Sequence, residues 1–330
     1  MKVDTDCVGK RMTIRYVVGG RGPSGGPAMT DVVGRVLAVS GTEITLERRD
    51  GSPVVVTLTD VVAAKVVPAA PARSRGAMAI SADNLTRITS RGWPAVVSEP
   101  LGEWELRASN GFTGRANSVA VTGDPGLPPA EAVAAVEAFY ATHGQEPMAQ
   151  VVVGSQGERL FIDAGWSALE DRAAGSGAIV QVAELVDVFE LGDVRIEDGA
   201  STEWLNLYHR VDDVAAARAV LEGPATVGFL SIADPVTGGP VAIGRVVVTG
   251  EWAGLACVEV AAGHRRQGFG RRIVEASMAW ARQHGADKAY LQTRIDNLAA
   301  IALYEPYGFQ THHTYLYLAQ QRSGLILSNR

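Results

Sequence analysis

The segment from Val258 to Arg272 constrains the fold of this 330-residue chain more than any other. A short apolar run that is typical of a strand leads directly to a glycine pair, Gly268 and Gly270, at the start of an amphipathic helix. The first turn of a helix carries unpaired N–H groups and the positive end of the helix dipole. Glycines let that backbone approach phosphate oxygens closely. The segment therefore predicts a strand–loop–helix unit whose loop binds an anion.

The charges around this loop favour a pyrophosphate group. Four arginines flank the glycine pair: Arg265, Arg266, Arg271 and Arg272. The dinucleotide-binding pattern Gly-x-Gly-x-x-Gly is not met, because Ile273 stands where its third glycine would be. A phosphate-bearing ligand is therefore expected, but not one bound by a Rossmann fold.

The residues that follow complete a known pattern, and here the chain resembles the GNAT superfamily of N-acetyltransferases. The segment 265–270 matches the family's pyrophosphate loop, Gln/Arg-x-x-Gly-x-Gly/Ala. The family's closing motif is matched by Asn297, Ala300, Leu303, Tyr304, Gly308 and Phe309. The resemblance covers about residues 192–318. It implies an α+β fold, a mixed sheet flanked by helices, and direct transfer of acetyl from acetyl-CoA to a primary amine without a covalent enzyme intermediate.

The resemblance also implies roles for individual residues. Val258 and Val260 would lie on the first of two splayed strands, beside the pantetheine arm. The pyrophosphate would be held by the loop residues Arg265, Arg266, Gln267, Gly268, Phe269, Gly270 and Arg271. Asn297 would contact the CoA arm, cap its own helix, or do both.

Tyr304 occupies the position of the family's usual general acid. A phenol with a pKa of about 10 protonates a thiolate of pKa about 8.5 only when it is well positioned. The alternative is a core tyrosine. The general base is open, because Gln292 stands where one branch of the family has a glutamate. Glu259 is the nearest carboxylate in sequence, and a solvent-facing strand residue or a water relay is the alternative.

Residues 81–191 repeat the order of elements found in residues 192–320. A helix-stop glycine precedes a glycine–aromatic pair in each, with a separation of 21 residues in one copy (144 to 165) and 23 in the other (285 to 308). We therefore predict a degenerate GNAT-like domain before the catalytic one, although βαβα order is common enough for coincidence. The degenerate copy has Asp124–Pro129 in place of the loop, so it is not expected to bind CoA. Its Arg115 and Asn117 are candidates to face the cleft.

The first 70 residues differ in pattern. Short alternating runs separated by turn residues, among them Asp50-Gly51, predict a small all-β unit, interpreted as an SH3-like barrel. Its role is open between a binding module and a packing or dimerisation element. Residues 71–80 are predicted to form a linker, because the stretch from Val67 to Gly76 is rich in proline and alanine.

The composition of the chain excludes some classes of binding partner. A net charge of −6 argues against direct nucleic-acid binding, but leaves a small amine or a protein amine open as acceptor. Two distant cysteines give neither a disulfide framework nor a zinc spacing, so no metal and a cytoplasmic location are expected. No apolar run approaches the roughly 20 residues of a membrane span, so no membrane association is expected. The competing function is an acyl-CoA-binding or partner-docking module with weak or no turnover.

Overall fold

A computed structural model describes residues 3, 7–21, 26–48, 53–66, 76–169, 177–185 and 191–320. The chain divides into two compact units, Met1–Ser74 and Arg75–Arg330. Much of the predicted linker lies outside the described residues. Its end does not, since Ala77–Ala79 forms a 3-10 turn in which the Ala77 N–H donates to the Glu184 carboxylate.

The first unit is a five-stranded antiparallel sheet in the order β4-β3-β2-β1-β5. Its strands are β1 (Arg11–Arg21), β2 (Pro27–Val39), β3 (Glu43–Glu47), β4 (Pro53–Thr57) and β5 (Val61–Val66). Apolar residues alternate into a small core that includes Met12, Ile14 and Ile44, so the prediction of an all-β unit is confirmed. The Asp50-Gly51 hairpin turn lies outside the described residues.

The second unit packs helices on both faces of one large mixed sheet. Its strands are β6 (Val97–Leu101), β7 (Trp104–Ala108), β8 (Val119–Ala120), β9 (Ala149–Val152), β10 (Trp166–Ala168), β11 (Gly177–Glu184), β12 (Arg195–Glu197), β13 (Val227–Ala233), β14 (Pro240–Thr249), β15 (Trp252–Val260), β16 (Lys288–Thr293) and β17 (Gln310–Gln320). Its helices are α1 (Ala82–Gly92), α2 (Pro129–Thr142), α3 (Gln156–Asp163), α4 (Thr202–Tyr208), α5 (Val214–Glu222), α6 (Phe269–Gln283) and α7 (Leu298–Tyr304).

The sheet runs in the order β12-β13-β14-β15-β16-β11-β17-β9-β8-β7-β6, with β10 paired to β17. Two neighbouring pairs in this path are parallel, β15 with β16 and β8 with β9. Each parallel pair is connected by a helix, α6 in one case and α2 in the other. This is the crossover that a parallel pair requires.

The two parts of this unit exchange strands. From the first part, β11 lies between β16 and β17 of the second. In turn, β17 pairs on its other edge with β9. The residues on either side of position 191 therefore share one continuous sheet, and the division into domains 81–191 and 192–320 stays a prediction.

The order of elements matches between the two parts. The run β8–α2–β9–α3–β10 corresponds to β15–α6–β16–α7–β17. The helix-stop glycines and the later glycines, Gly144, Gly165, Gly285 and Gly308, all have positive φ. The segment from Arg115 to Val121 is by sequence typical of a strand, but this prediction is wrong for its first four residues, because the strand begins only at Val119. Arg115 lies in a 3-10 turn, Gly114–Ala116, which the side chain of Asn117 holds in place.

Candidate functional site

The parallel strands β15 and β16 pair only along their first halves. Backbone pairing runs from Trp252 with Lys288 to Leu255 with Leu291, yet β15 continues to Val260. Beyond Leu255, Cys257 adopts a left-handed conformation with φ 57°, and the register with β14 shifts. This is a β-bulge, which increases twist and ends regular pairing. A cleft therefore opens between the ends of the two strands.

The bulge also decides which side chains face which side of the cleft. Leu255 packs in the core beneath α6, but Ala256 and Cys257 both pack against the cluster on the opposite face. After this break in alternation, Val258 and Val260 contact the α6 cluster again. Glu259 points the other way and pairs with Arg210, with 3.1 Å between Nη2 and Oε1.

The start of α6 is not capped by a side chain. Side chains cap five of the other described α-helices: Ser81, Ser155, Ser201, Asp213 and Asn297. The N-cap of α6 is Gly268, with φ 85°, and no side chain caps it. A Cβ added at Gly268 would meet nothing within 4 Å. The first-turn N–H groups are therefore left for a ligand.

The four arginines of the loop differ in what they already bind. Arg271 pairs with Glu275 at 2.8 Å, and Arg272 pairs with Asp193. Arg265 donates through Nε to the Val260 carbonyl at 3.1 Å, and Arg266 has no partner within the described chain. Neither of these two pairs with a carboxylate there, so they are the cations available to a pyrophosphate.

The remaining predicted cofactor residues surround this loop. Gln267 donates to the Gly263 carbonyl at 3.2 Å, which braces the turn. A Cβ at Gly270 would lie 3.6 Å from Val260 and 3.7 Å from Leu303, so the loop meets both β15 and α7. Phe269 is partly buried, with the Arg272 guanidinium 5.3 Å from its ring centroid. An uncapped helix start with two available arginines fits the diphosphate end of acetyl-CoA.

Asn297 is the N-cap of α7. Its Oδ1 accepts from the Ala300 N–H at 3.1 Å, so the capping alternative is observed. Its amide nitrogen donates to no described residue, and contact with the CoA arm stays a prediction.

Tyr304 ends α7 and is 5% exposed. Its ring packs against Phe309, with 5.3 Å between centroids. Its hydroxyl makes no hydrogen bond within the described residues, although buried tyrosine hydroxyls usually find a partner. Burial, with a smaller effect of the Cys257 thiol, raises the pKa of Tyr304 well above its usual value. The phenol is therefore protonated at neutral pH.

Gln292 lies on the opposite wall, on β16. Its Oε1 accepts a hydrogen bond from the Tyr315 hydroxyl at 3.0 Å. Gln292 lines a small cavity on the face of the sheet away from α6, together with Gly254, Ala256 and Tyr290. The structure thus brings Gln292 to the cleft as a neutral, fixed amide.

Carboxylates from other parts of the chain already bind the backbone of the loop before α2. The Glu103 carboxylate accepts from the Asp124 N–H at 2.8 Å, and the Asp83 carboxylate accepts from the Gly123 N–H at 3.2 Å. The first helical residue, Pro129, has no N–H to offer, and Glu131 adds negative charge to the first turn. This loop is unsuited to a phosphate.

Sequence reasoning missed two residues that reach the cavity, Trp93 and Arg245. Arg245 gave a signal, since it interrupts the apolar strand β14 and is 1% exposed. Trp93 follows α1, far from the motifs in sequence, and nothing in its neighbourhood indicated the cleft. His312 and His313 bond to each other through their Nδ1 atoms, and His312 Nε2 also bonds to the Ile80 carbonyl, which is a structural arrangement.

Two further features of the described residues concern metal ions and membranes. No group of three or more His, Cys, Asp or Glu side chains is placed to hold a metal ion. Within the same residues, no helix has the length and apolar character needed to cross a membrane.

Comparison with protein families corrects the fold predicted for the first unit. Residues 7–65 match the model described as the Rv0428c N-terminal Sm-like domain, so the SH3-like prediction is replaced. Alternation in short strands shows which side chains are buried, but it does not distinguish one small five-stranded sheet from another.

Solved structures share the fold of the second unit. A GCN5-related N-acetyltransferase from Kribbella flavida is 19% identical with a TM-score of 0.54, over 74% of this chain and 97% of that one. A tandem GNAT protein from the clavulanic acid biosynthesis pathway is 14% identical with a TM-score of 0.50, over 63% of this chain and 76% of that one. The predicted α+β GNAT fold is confirmed.

The chain is also similar in sequence to acetyltransferases. The uncharacterized N-acetyltransferase YobR of Bacillus subtilis (strain 168) is 25% identical over 241 residues, which is 69% of this chain and 96% of the relative. Residues 81–318 match the family model described as the probable histone acetyltransferase Rv0428c C-terminal domain. Because that match spans most of the 330 residues, this chain belongs to the Rv0428c acetyltransferase family and carries its C-terminal domain on a GNAT fold.

Proposed function

We propose that this chain transfers an acetyl group from acetyl-CoA to a primary amine in the cleft between β15 and β16. The observation that carries the proposal is the uncapped start of α6 at Gly268, a short loop after the strand that forms one wall of the cleft. An anion site beside an opening in the sheet suits a cosubstrate with a diphosphate at one end and a reactive thioester at the other.

The residues divide the binding work by position. Arg265, Arg266 and the first-turn N–H groups of α6 hold the pyrophosphate. Val258 and Val260 give the pantetheine arm an apolar wall, since both face the α6 side. Acetyl-CoA supplies the thioester carbon that the amine attacks, so that a C–N bond forms and the C–S bond breaks.

Tyr304 is the proposed proton donor to the departing sulfur. Its hydroxyl is unused by the described protein, and its phenol is protonated at neutral pH. The hydrogen bond from the phenol strengthens as negative charge develops on sulfur, and the proton transfers as the C–S bond breaks. Burial disfavours the resulting phenolate, which regains a proton from the amine nitrogen as the amide forms.

Glu259 is the proposed acceptor of the ammonium proton. It faces the side of the sheet away from α6, where an amine can approach the thioester from the face opposite the CoA arm. Its ion pair with Arg210 holds the carboxylate in place at 3.1 Å. The side chain is 29% exposed, so the proton can pass on to solvent.

Residues 81–191 are proposed to be a degenerate GNAT copy that binds no acetyl-CoA. The matched element order supports the duplication. The carboxylates of Glu103 and Asp83, which accept from N–H groups of the loop before α2, support the loss of cofactor binding.

The proposal is tested by measuring CoA thiol release with a panel of amines: free amino acids, small alkylamines and lysine-containing peptides. We expect turnover with at least one acceptor and its loss in a Tyr304→Phe, Glu259→Gln double variant. Tight acetyl-CoA binding without turnover on any acceptor would instead identify an acyl-CoA-binding module.

A further inference from the structure

Two arginines meet one tryptophan on the face of the cleft away from α6. The guanidinium carbon of Arg115 lies 4.0 Å from the centroid of the Trp93 ring, and that of Arg245 lies 4.9 Å from it. All three residues line the same small cavity as Gly254 and Gln292. Arg115 comes from the turn before β8 and Arg245 from β14, so both parts of the shared sheet contribute.

No carboxylate of the described chain neutralises either cation. Arg245 is 1% exposed and donates only to carbonyls, through Nε to Leu221 at 2.8 Å and through Nη2 to Gly92 at 3.1 Å. Arg115 makes no hydrogen bond within the described residues. Burial lowers the pKa of Arg245 to about 10, and the nearby charge of Arg115 acts in the same direction. A buried cation such as Arg245 is costly without an anion, and Arg115 beside it is half-buried.

Arg107 shows how the same chain satisfies a buried arginine that serves structure. It is 2% exposed, and all three of its nitrogens donate to neutral acceptors. These are the Ser118 carbonyl at 2.8 Å, Ser90 Oγ at 2.8 Å, Ser118 Oγ at 3.1 Å and Gln150 Oε1 at 2.7 Å. By comparison with Arg107, Nη1 of Arg245 and all three side-chain nitrogens of Arg115 donate to no described residue.

The loop that carries Arg115 is held rigidly. Asn117 Oδ1 accepts from the N–H groups of Ser109 at 2.7 Å and Gly111 at 3.1 Å. Its Nδ2 donates to the carbonyls of Phe112 at 2.8 Å and Thr113 at 2.9 Å. Thr113 has φ 59°, a conformation that persists only where the surroundings enforce it. A cation fixed in this way loses little entropy on binding a ligand.

We propose that the amine acceptor carries a carboxylate, as a free amino acid does, and that Arg115 and Arg245 bind that carboxylate beside Trp93. This rests on the proposed transferase function. Guanidinium groups match a carboxylate with paired, charge-assisted hydrogen bonds. The small size of the cavity favours a small molecule. The amine would then face Glu259 and the thioester.

Binding is tested without turnover. Calorimetry titrates the CoA-bound protein with N-acetylglycine, N-acetyl-L-alanine, N-acetyl-L-phenylalanine and N-acetyl-L-glutamate, each paired with its carboxamide at the α-carboxyl. We expect at least one acid to bind 10-fold or more tightly than its amide. Arg115→Gln should abolish that preference and Arg115→Lys should keep part of it. Arg159→Gln, an exposed control with the same charge change, should keep all of it. Equal binding of acids and amides, or none by any acid, overturns the proposal.

Turnover measurements test the carboxylate site separately from the proposed acetyltransferase activity. With free amino acids, we expect Arg115→Gln to raise KM at least 10-fold while kcat changes less, and Arg115→Lys to recover part of the loss. If amino-acid amides are acetylated as well as the acids, the carboxylate site is wrong and the transferase stands. If acids bind selectively but no amine releases CoA, the transferase is wrong and the carboxylate site stands.

Discussion

The Glu103 carboxylate accepts a hydrogen bond from the Asp124 N–H at 2.8 Å, on the loop that precedes α2. In the matching loop before α6, the chain provides arginines and no capping carboxylate. A carboxylate of the chain therefore already occupies a backbone N–H group of the loop before α2, whereas no side chain caps the start of α6.

This contrast predicts one acetyl-CoA per chain. Gly268→Val should abolish binding, because φ 85° is strained for valine and the added side chain occupies the approach to the first-turn N–H groups. Gly144→Val is the matched control, since that glycine also has positive φ, 63°, and open space around it. Calorimetry decides, and a stoichiometry of two would contradict the assignment.

The available loop arginines should matter most for affinity. Arg266→Gln should weaken acetyl-CoA binding about 10-fold at low salt, roughly 1.4 kcal/mol. Arg272→Gln should cost less, because Asp193 already neutralises that guanidinium. Dissociation constants measured at two salt concentrations check this, with the Arg266 effect shrinking at high salt. Equal losses in the two variants would mean that the ion pair opens when the ligand binds.

Tyr304→Phe should lower kcat by about 10²–10⁴-fold and leave acetyl-CoA affinity nearly unchanged. The ring keeps its packing against Phe309, and only the hydroxyl is lost. Tyr307→Phe is the control, since that hydroxyl donates to the Glu275 carboxylate at 3.0 Å. Near-normal turnover in the Tyr304 variant would show that water protonates the sulfur. A loss of acetyl-CoA binding would identify a structural tyrosine.

Glu259→Gln should lower kcat/KM by about 10²–10⁴-fold at neutral pH. The loss should shrink at high pH, where more of the amine is already deprotonated. Glu203→Gln, on the exposed surface of α4, is the control. Rate profiles from pH 6 to 9.5 measure the effect, and a loss of the same size at every pH would argue for a positioning role.

His313 should make stability depend on pH. Burial, with a smaller effect of His312, lowers its pKa from 6.5 to about 4. The folded state then binds this proton less readily than the unfolded state. The stabilisation is complete above about pH 6.5 and is lost as pH falls towards 4.

Urea unfolding at pH 7 and pH 5 measures this effect. His312 Nε2 donates to the Ile80 carbonyl at 2.8 Å, so His312 Nδ1 accepts from the Nδ1–H of His313 at 2.8 Å, and a further proton on His313 must enter at its Nε2. We expect His313→Asn to reduce the fall in unfolding free energy by about 1–2 kcal/mol. His209→Asn should leave the fall unchanged. A fall of equal size in wild type and His313→Asn would assign it to other groups.

Local sequence patterns were sufficient to predict where many helices of the site begin and end. The helix begun by Gly268, the helix capped by Asn297 and the glycines that end helices all lie within a residue or two of their predicted positions. Each depends on backbone preferences over a few neighbouring residues, which a sequence carries directly.

The β-bulge at Cys257 and the side-chain directions that follow from it could not be predicted from the sequence. Cys257 carries no sequence signal for a left-handed strand residue, yet it turns Val258 towards α6 and Glu259 away from it. The 3-10 turn at Arg115 was read as strand because its flanking residues alternate. In the fold, the four hydrogen bonds of Asn117 outweigh that preference.

By itself, the sequence determined the α+β class, and it predicted an anion loop and a two-part repeat, because periodicity and turn chemistry are local. Only the tertiary structure decided that β11 lies between β16 and β17, and that Trp93, Arg115 and Arg245 meet beside Gln292. These contacts join residues up to about 200 positions apart. They are selected by the free energy of burying a whole sheet rather than by any residue's own preference.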